Sequence, residues 1–215
     1  MIKAIIFDLD NCLAAANEVG EDLYKPAFDA IRQASNGTIS EEVLEQAFQD
    51  CWRHPLDWVA ARYGFSDSML AAGWRVFVTL EVTRPMYGYD DLTILAELPV
   101  QRFLVTSGFR HLQESKIKAL KIEPLFTALY IDAIDQPNRL GKQVLFERIL
   151  NDYDLTPAEV LVVGDNPDSE IEVGNRLGIQ TVQILRHGVP RTDNATLHIQ
   201  SLAELRELLP RPKYK

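Results

Sequence analysis

Met1-Ile2-Lys3-Ala4-Ile5-Ile6-Phe7-Asp8-Leu9-Asp10 opens the chain, and its residues 4–7 form a short apolar, β-branched run that stops at two carboxylates. Such a run reads as a buried central strand, and its carboxyl end is where an open α/β sheet binds ligands. Residues 102–106 (RFLVT), 160–164 (VLVVG) and 181–185 (TVQIL) read the same way, and 129–131 more weakly. Helical patterns over 109–120, 141–150 and 169–177 alternate with these strands, and Gly178 suits the C-cap of the last. The β-α-β-α order predicts an α/β fold built on a doubly wound parallel sheet.

Residues 14–89 break this rhythm, with helical periodicity and almost no strand signal. Ser40 is placed to cap a helix whose stripe is Val43, Leu44, Ala47, Phe48, Cys51 and Trp52. Ser66 caps another, with Met69, Ala72, Val76, Phe77 and Leu80 along it. The block from 14 to 90 therefore reads as an inserted α-helical cap domain, leaving 1–13 and 91–215 as the core. Residues 210–215 read as a frayed basic end.

The 215 residues are 47% hydrophobic, enough for one core and a smaller insert, and the net charge of −9 opposes a polyanion such as nucleic acid. No stretch approaches the roughly 20 apolar residues of a membrane span, and Asp8 comes too early for a signal-peptide apolar region. Two cysteines, Cys12 and Cys51, form neither a disulfide framework nor a zinc set and read as packing residues. A soluble cytoplasmic protein is expected, with its oligomeric state left open.

Other phosphate and metal chemistries fail on spacing. Counted from Asp8, a calcium loop needs Gly and Glu where Leu13 and Val19 stand. A P-loop ending at Gly141-Lys142 needs Gly at Gln136 and Ser or Thr at Gln143. Neither cysteine has the arginine six residues on that a cysteine phosphatase requires, for Glu18 and Asp57 stand there. His54, His111, His187 and His198 show no metal-ligand spacing.

Four signals remain, each at a predicted strand end or helix start: Phe7-Asp8-Leu9-Asp10, Val105-Thr106-Ser107-Gly108, Leu140-Gly141-Lys142, and Val163-Gly164-Asp165-Asn166-Pro167-Asp168-Ser169-Glu170. In motifs, order and placement the chain resembles the haloacid dehalogenase superfamily, over residues 1–13 and about 91–205, with residues 14–90 where that superfamily carries a helical cap. The resemblance implies a Rossmann-like core and a magnesium-dependent phosphohydrolase acting on a small phosphorylated metabolite. It implies Asp8 as the nucleophile forming an aspartyl-phosphate, and Asp10 as general acid and then general base. Asp8, Asp165, the Asp10 carbonyl and Glu170 would hold Mg²⁺, an oxygen-rich set that suits this ion better than zinc. Thr106 and Ser107 would cradle the phosphate, and Lys142 would balance the carboxylates and orient Asp8.

Asn11-Cys12 replaces the usual Gly-Thr of the family, Lys142 lacks the following Pro, and Glu170 replaces the commoner Asp, with Asp168 in reserve. The alternatives are a 2-haloacid dehalogenase, a phosphomutase, a pyrimidine-nucleotidase-like enzyme, suggested by Asp8-Leu9-Asp10-Asn11, and a silent phospholigand-binding module. Asp10 and the full acid set argue against the dehalogenase. Trp52, Arg53, His54, Arg75 and Arg84 of the insert are possible substrate contacts, and none is assigned.

Overall fold

A computed structural model describes residues 1–209; the basic end at 210–215 lies outside the described residues. Six parallel strands, β1 (Ala4–Phe7), β2 (Gln101–Gly108), β3 (Ala128–Ala133), β4 (Val160–Gly164), β5 (Gln180–Ile184) and β6 (Leu197–Ile199), form one sheet in the order β3-β2-β1-β4-β5-β6. The first strand is thus central, and Phe7 lies level with Leu104 on one side and Val163 on the other. The chain runs outward in both directions from β1, so a crevice opens at the carboxyl ends of β1, β2 and β4.

The two-residue period of the strands sorts the core. Ile5, Phe7, Leu104, Leu161, Val163, Val182 and Ile184 face one apolar layer, which includes Leu112, Ile117 and Leu120 of α5 (Arg110–Leu120). Ala4, Ile6, Phe103, Val105, Val160 and Val162 face the other, which is filled by Leu145, Phe146 and Ile149 of α6 (Gly141–Asp152). Helices on both faces confirm the doubly wound sheet. The strand β6 has no counterpart in the sequence reading, because three residues are too few to show a period. Its pairing is supplied by β5 alone.

Between β1 and β2 the chain forms α1 (Glu21–Ser35), α2 (Glu41–Asp50), α3 (Leu56–Tyr63) and α4 (Asp67–Phe77). Ser40 and Ser66 cap α2 and α4 as expected, accepting from the amides of Val43 and Met69. Tyr24, Phe28, Phe48, Trp52 and Phe77 stack or meet edge-on inside the block, and Phe77 lies parallel to Phe109 of the sheet layer at 5.2 Å. Of the expected stripe, Val43 is exposed while Leu44, Ala47 and Phe48 are buried. The helix expected over 169–177 begins instead as a kinked π-type turn, Pro167–Ile171, and only Glu172–Arg176 is regular (α7). Asn166 opens the turn, its side chain accepting from the Asp168 amide, and Ser169 leaves helical range at φ −122°, ψ −107°. That kink accompanies the burial of Glu170. No helix among the described residues is long and apolar enough to cross a membrane.

Candidate active site

Asp8 follows the last residue of β1 and Asp165 the last of β4, so two adjacent parallel strands deliver both carboxylates to the same edge of the sheet. The π-type turn after β4 swings Glu170 back toward them. One oxygen from each of Asp8, Asp165 and Glu170 lies within 4.8 Å of the others, and all three residues are buried. Gly164 permits this approach, since a Cβ there would meet Glu170 Oε1 at 2.2 Å and Cγ at 2.3 Å. Glu170 is further held by the Asn166 amide, which donates to Oε1 at 2.7 Å.

Lys142, in the first turn of α6, donates to Asp8 Oδ1 at 2.7 Å and to Glu170 Oε2 at 2.8 Å. Burial works against its charge, but the two carboxylates more than offset this and raise its pKa. One lysine does not neutralise three acids. Burial first, and then repulsion from Glu170, push the Asp8 carboxyl up to about 7 despite Lys142, and burial with repulsion from Glu170 and Asp8 raises Asp165. Arg53, from the turn between α2 and α3, donates to Asp165 Oδ2 at 3.2 Å. A buried set of carboxylate oxygens with excess negative charge fits a hard divalent cation. Asp168 stands outside this trio, so Glu170 is the acid that the turn brings in.

Asp10 points elsewhere. Its carboxylate accepts from Lys116 Nζ at 2.8 and 3.0 Å and from Gln113 Nε2 at 3.0 Å. Gln113 also donates to Thr106 Oγ1 at 2.6 Å, leaving the Thr106 hydroxyl proton available to a ligand. The Lys116 ammonium is opposed by burial and sustained by Asp10 and Tyr24, with a raised pKa as the net result. Ser107, in contrast, donates its hydroxyl to Asp132 Oδ2 at 3.0 Å. Asn11 takes the left-handed backbone conformation (φ 55°) that the family's glycine would allow, accepting from the Ala16 amide and donating to the Trp52 carbonyl. Cys12 is buried, its thiol directed at the Val163 carbonyl and its pKa raised by burial, as befits a packing residue.

A model of haloacid dehalogenase-like hydrolases matches residues 2–178. The chain belongs to this family. Glyceraldehyde 3-phosphate phosphatase of Methanopyrus kandleri is 29% identical to this hydrolase over 203 residues, covering 86% of this chain and 85% of that protein. The enzyme of the same name from Methanocaldococcus jannaschii is 28% identical over 200 residues, with 86% of each chain covered. Among solved structures, the haloacid dehalogenase-like protein SP0104 of Streptococcus pneumoniae has a TM-score of 0.69 at 15% identity, covering 96% of this chain and 98% of its own. An L-2-haloacid dehalogenase of Xanthobacter autotrophicus has a TM-score of 0.60 at 18% identity over 97% and 98%. Fold alone thus serves both chemistries, whereas the family and the curated relatives together make this chain a hydrolase of the phosphatase branch.

The hydrolase's acids line a cavity of about 500 Å³ under the helical block. Tyr24, Phe77, Phe109 and Leu112 form apolar wall, and Trp52, Arg53 and His54 hang over it from the α2–α3 turn. Of the insert's possible contacts, Arg84 is drawn instead to the Val19 carbonyl and Asp22. Gln113, Lys116 and the Asp132–Arg139 pair escaped the sequence reading. Gln113 and Lys116 lie three apart on α5, among Leu112, Ile117 and Leu120, and polar residues on the apolar face of a helix were the only available signal.

Proposed function

We propose that this hydrolase is a magnesium-dependent phosphomonoesterase that acts on a small phosphorylated metabolite through an aspartyl-phosphate at Asp8. The carrying observation is the buried trio of Asp8, Asp165 and Glu170, with Lys142 bonded to Asp8 and Glu170, in a cavity that Thr106 also lines. Residues 1–13 and 91–215 act as the catalytic core and 14–90 as its cap. Asp8, Asp165, Glu170 and the Asp10 carbonyl are the Mg²⁺ ligands in this reading. The ion supplies positive charge that masks the repulsion between a carboxylate and a phosphate dianion.

The chain's own groups do the rest. Asp8 attacks phosphorus, the bond to the ester oxygen breaks, and Asp10 gives that oxygen a proton. Water then attacks the aspartyl-phosphate, Asp10 takes its proton, and the bond to Asp8 breaks. Lys116 and Gln113 orient the Asp10 carboxyl group through both steps. Lys142 and the Thr106 hydroxyl hold the phosphoryl oxygens as charge spreads over them. The Ser107 hydroxyl donates to this cradle only by releasing Asp132.

Apolar walls and a cavity of this size suit a short-chain or ring-sized ester. The relatives' activity makes glyceraldehyde 3-phosphate the first compound to assay, beside sugar phosphates, nucleoside monophosphates and phosphoglycolate. Phosphate release that requires Mg²⁺ and stops in chelator is expected for at least one of these. Full activity in chelator overturns the metal-dependent reading.

A further inference from the structure

Arg53 is borne by the insert yet bonds a proposed metal ligand, 112 residues away in sequence. Its guanidinium donates to Asp165 Oδ2 and to the Gly188 carbonyl, both at 3.2 Å, and its side chain remains a quarter exposed to the cavity side. The backbone of the same turn is held by two side-chain amides from the core, Asn11 to the Trp52 carbonyl and Asn166 to the Arg53 carbonyl.

We propose that Arg53 is a two-position cation: without metal it neutralises Asp165, a divalent ion in the three-acid site displaces it, and the freed guanidinium then binds the substrate's phosphoryl group. The proposal rests on the metal site inferred above. Three carboxylates meet two cations, Lys142 and Arg53. A divalent ion together with Lys142 balances the three acids, so Arg53 becomes surplus and is repelled by the ion. Its hold on Asp165 is a single bond at the long end of the hydrogen-bonding range, which a divalent ion readily outcompetes. A guanidinium released into the cavity presents a planar fork of donors, the group best matched to a phosphoryl dianion. Because linkage is reciprocal, a turn held by Arg53 must weaken metal binding, and metal must loosen the turn.

The test compares wild type with Arg53→Met and Arg53→Lys, after circular dichroism has established that the variants are folded. Calorimetric titration with Mg²⁺ should show Arg53→Met binding roughly fivefold or more tighter than wild type, the lower end of ordinary coupling, with Arg53→Lys between them. Hydrogen exchange should report the turn, whose Trp52, Arg53 and His54 amides bond back to Gln49 and Asp50. Mg²⁺ should speed exchange over residues 51–56 in wild type, and Arg53→Met should exchange at the faster rate without metal. Inorganic phosphate should bind the Mg²⁺-loaded Arg53→Met about tenfold more weakly, the loss of one charge-assisted pair. Equal Mg²⁺ affinities overturn the proposal while leaving the metal site standing, and so does tighter Mg²⁺ binding with unaltered exchange, which is a field effect alone. Unchanged phosphate affinity overturns the second position. Failure of Mg²⁺ to bind any of the three proteins overturns the metal site and this proposal together.

Discussion

Two carboxylate sites share one edge of the sheet and are neutralised in opposite ways. At the end of β3, Asp132 is a lone buried acid with more partners than it needs: Arg139 donates from Nε and Nη2, Ser107 from its hydroxyl and Gly141 from its amide. Burial tends to raise its pKa, but Arg139 and the other donors lower it on balance. At the ends of β1 and β4, three acids crowd around Lys142, and Asp8 and Asp165 are pushed up. A satisfied carboxylate of the first kind ties structure together, here joining β3, α6 and, through the bond of Arg139 to Asp57, the helical insert. An under-neutralised trio of the second kind is unfavourable by itself and is suited to a visiting cation and a reaction.

The contrast breaks most visibly at Asp8. In Asp8→Asn, turnover should fall by roughly 10³ or more, as for other nucleophile removals, while the thermal midpoint of the metal-free protein stays level or rises because a like charge has gone. Steady-state kinetics beside a melting curve decide it, and activity within tenfold of wild type sinks the assignment.

At the other site the loss should be structural. Arg139→Gln strips Asp132 of its cation and should cost about 1 to 2 kcal/mol, below the range for a fully buried pair, because Arg139 is itself 36% exposed and Ser107 and Gly141 still donate. Urea unfolding measures this. An unchanged midpoint would show that the neutral donors suffice and that the contrast is overstated.

Gly164→Ala tests how tightly the trio is assembled. The added methyl would overlap Glu170, which must withdraw, so Mg²⁺ affinity should fall by about 10 to 100-fold, as when a ligand's support is lost. Calorimetry that finds wild-type affinity would remove Glu170 from the ligand set.

The gentlest test is a slope with pH. Asp8 is raised from 3.8 to about 7, so between these values the native state holds more protons than the unfolded chain, and stability in chelator should fall as pH rises. Each proton taken up adds at most about 1.4 kcal/mol per pH unit. Asp132 is lowered from 3.8, so its stabilisation is present above that value and is lost as pH drops through its folded pKa. Unfolding midpoints should therefore show Asp8→Asn flattening the limb from about pH 4 to 7, Asp132→Asn flattening the acid limb, and Mg²⁺ flattening only the former. Limbs that respond to the opposite variant would reverse the account.

Much of the core was legible because its signals are local. Four of the six strands lie within a few residues of apolar runs in the sequence, the weak run at 129–131 is the middle of β3, and β6 alone gave no sign. Asp8, Asp165, Glu170 and Lys142, from strand ends, a following turn and a helix start, come together at one sheet edge. The kinked turn that carries Glu170 read as plain helix, since its break at Ser169 accompanies the bond of that buried acid to Lys142, a partner 28 residues away.

The sequence by itself determined the parallel sheet, the helical insert and the family motifs, because strand period, capping residues and strand-end acids are properties of neighbouring residues. Only the tertiary structure decided that Lys116 and Gln113 hold Asp10, that Ser107 serves Asp132, and that Arg53 reaches Asp165. Those partners stand up to 112 residues apart. Which donor faces which acid depends on how α5 and the insert settle against the sheet edge, and no local pattern of polarity encodes that packing.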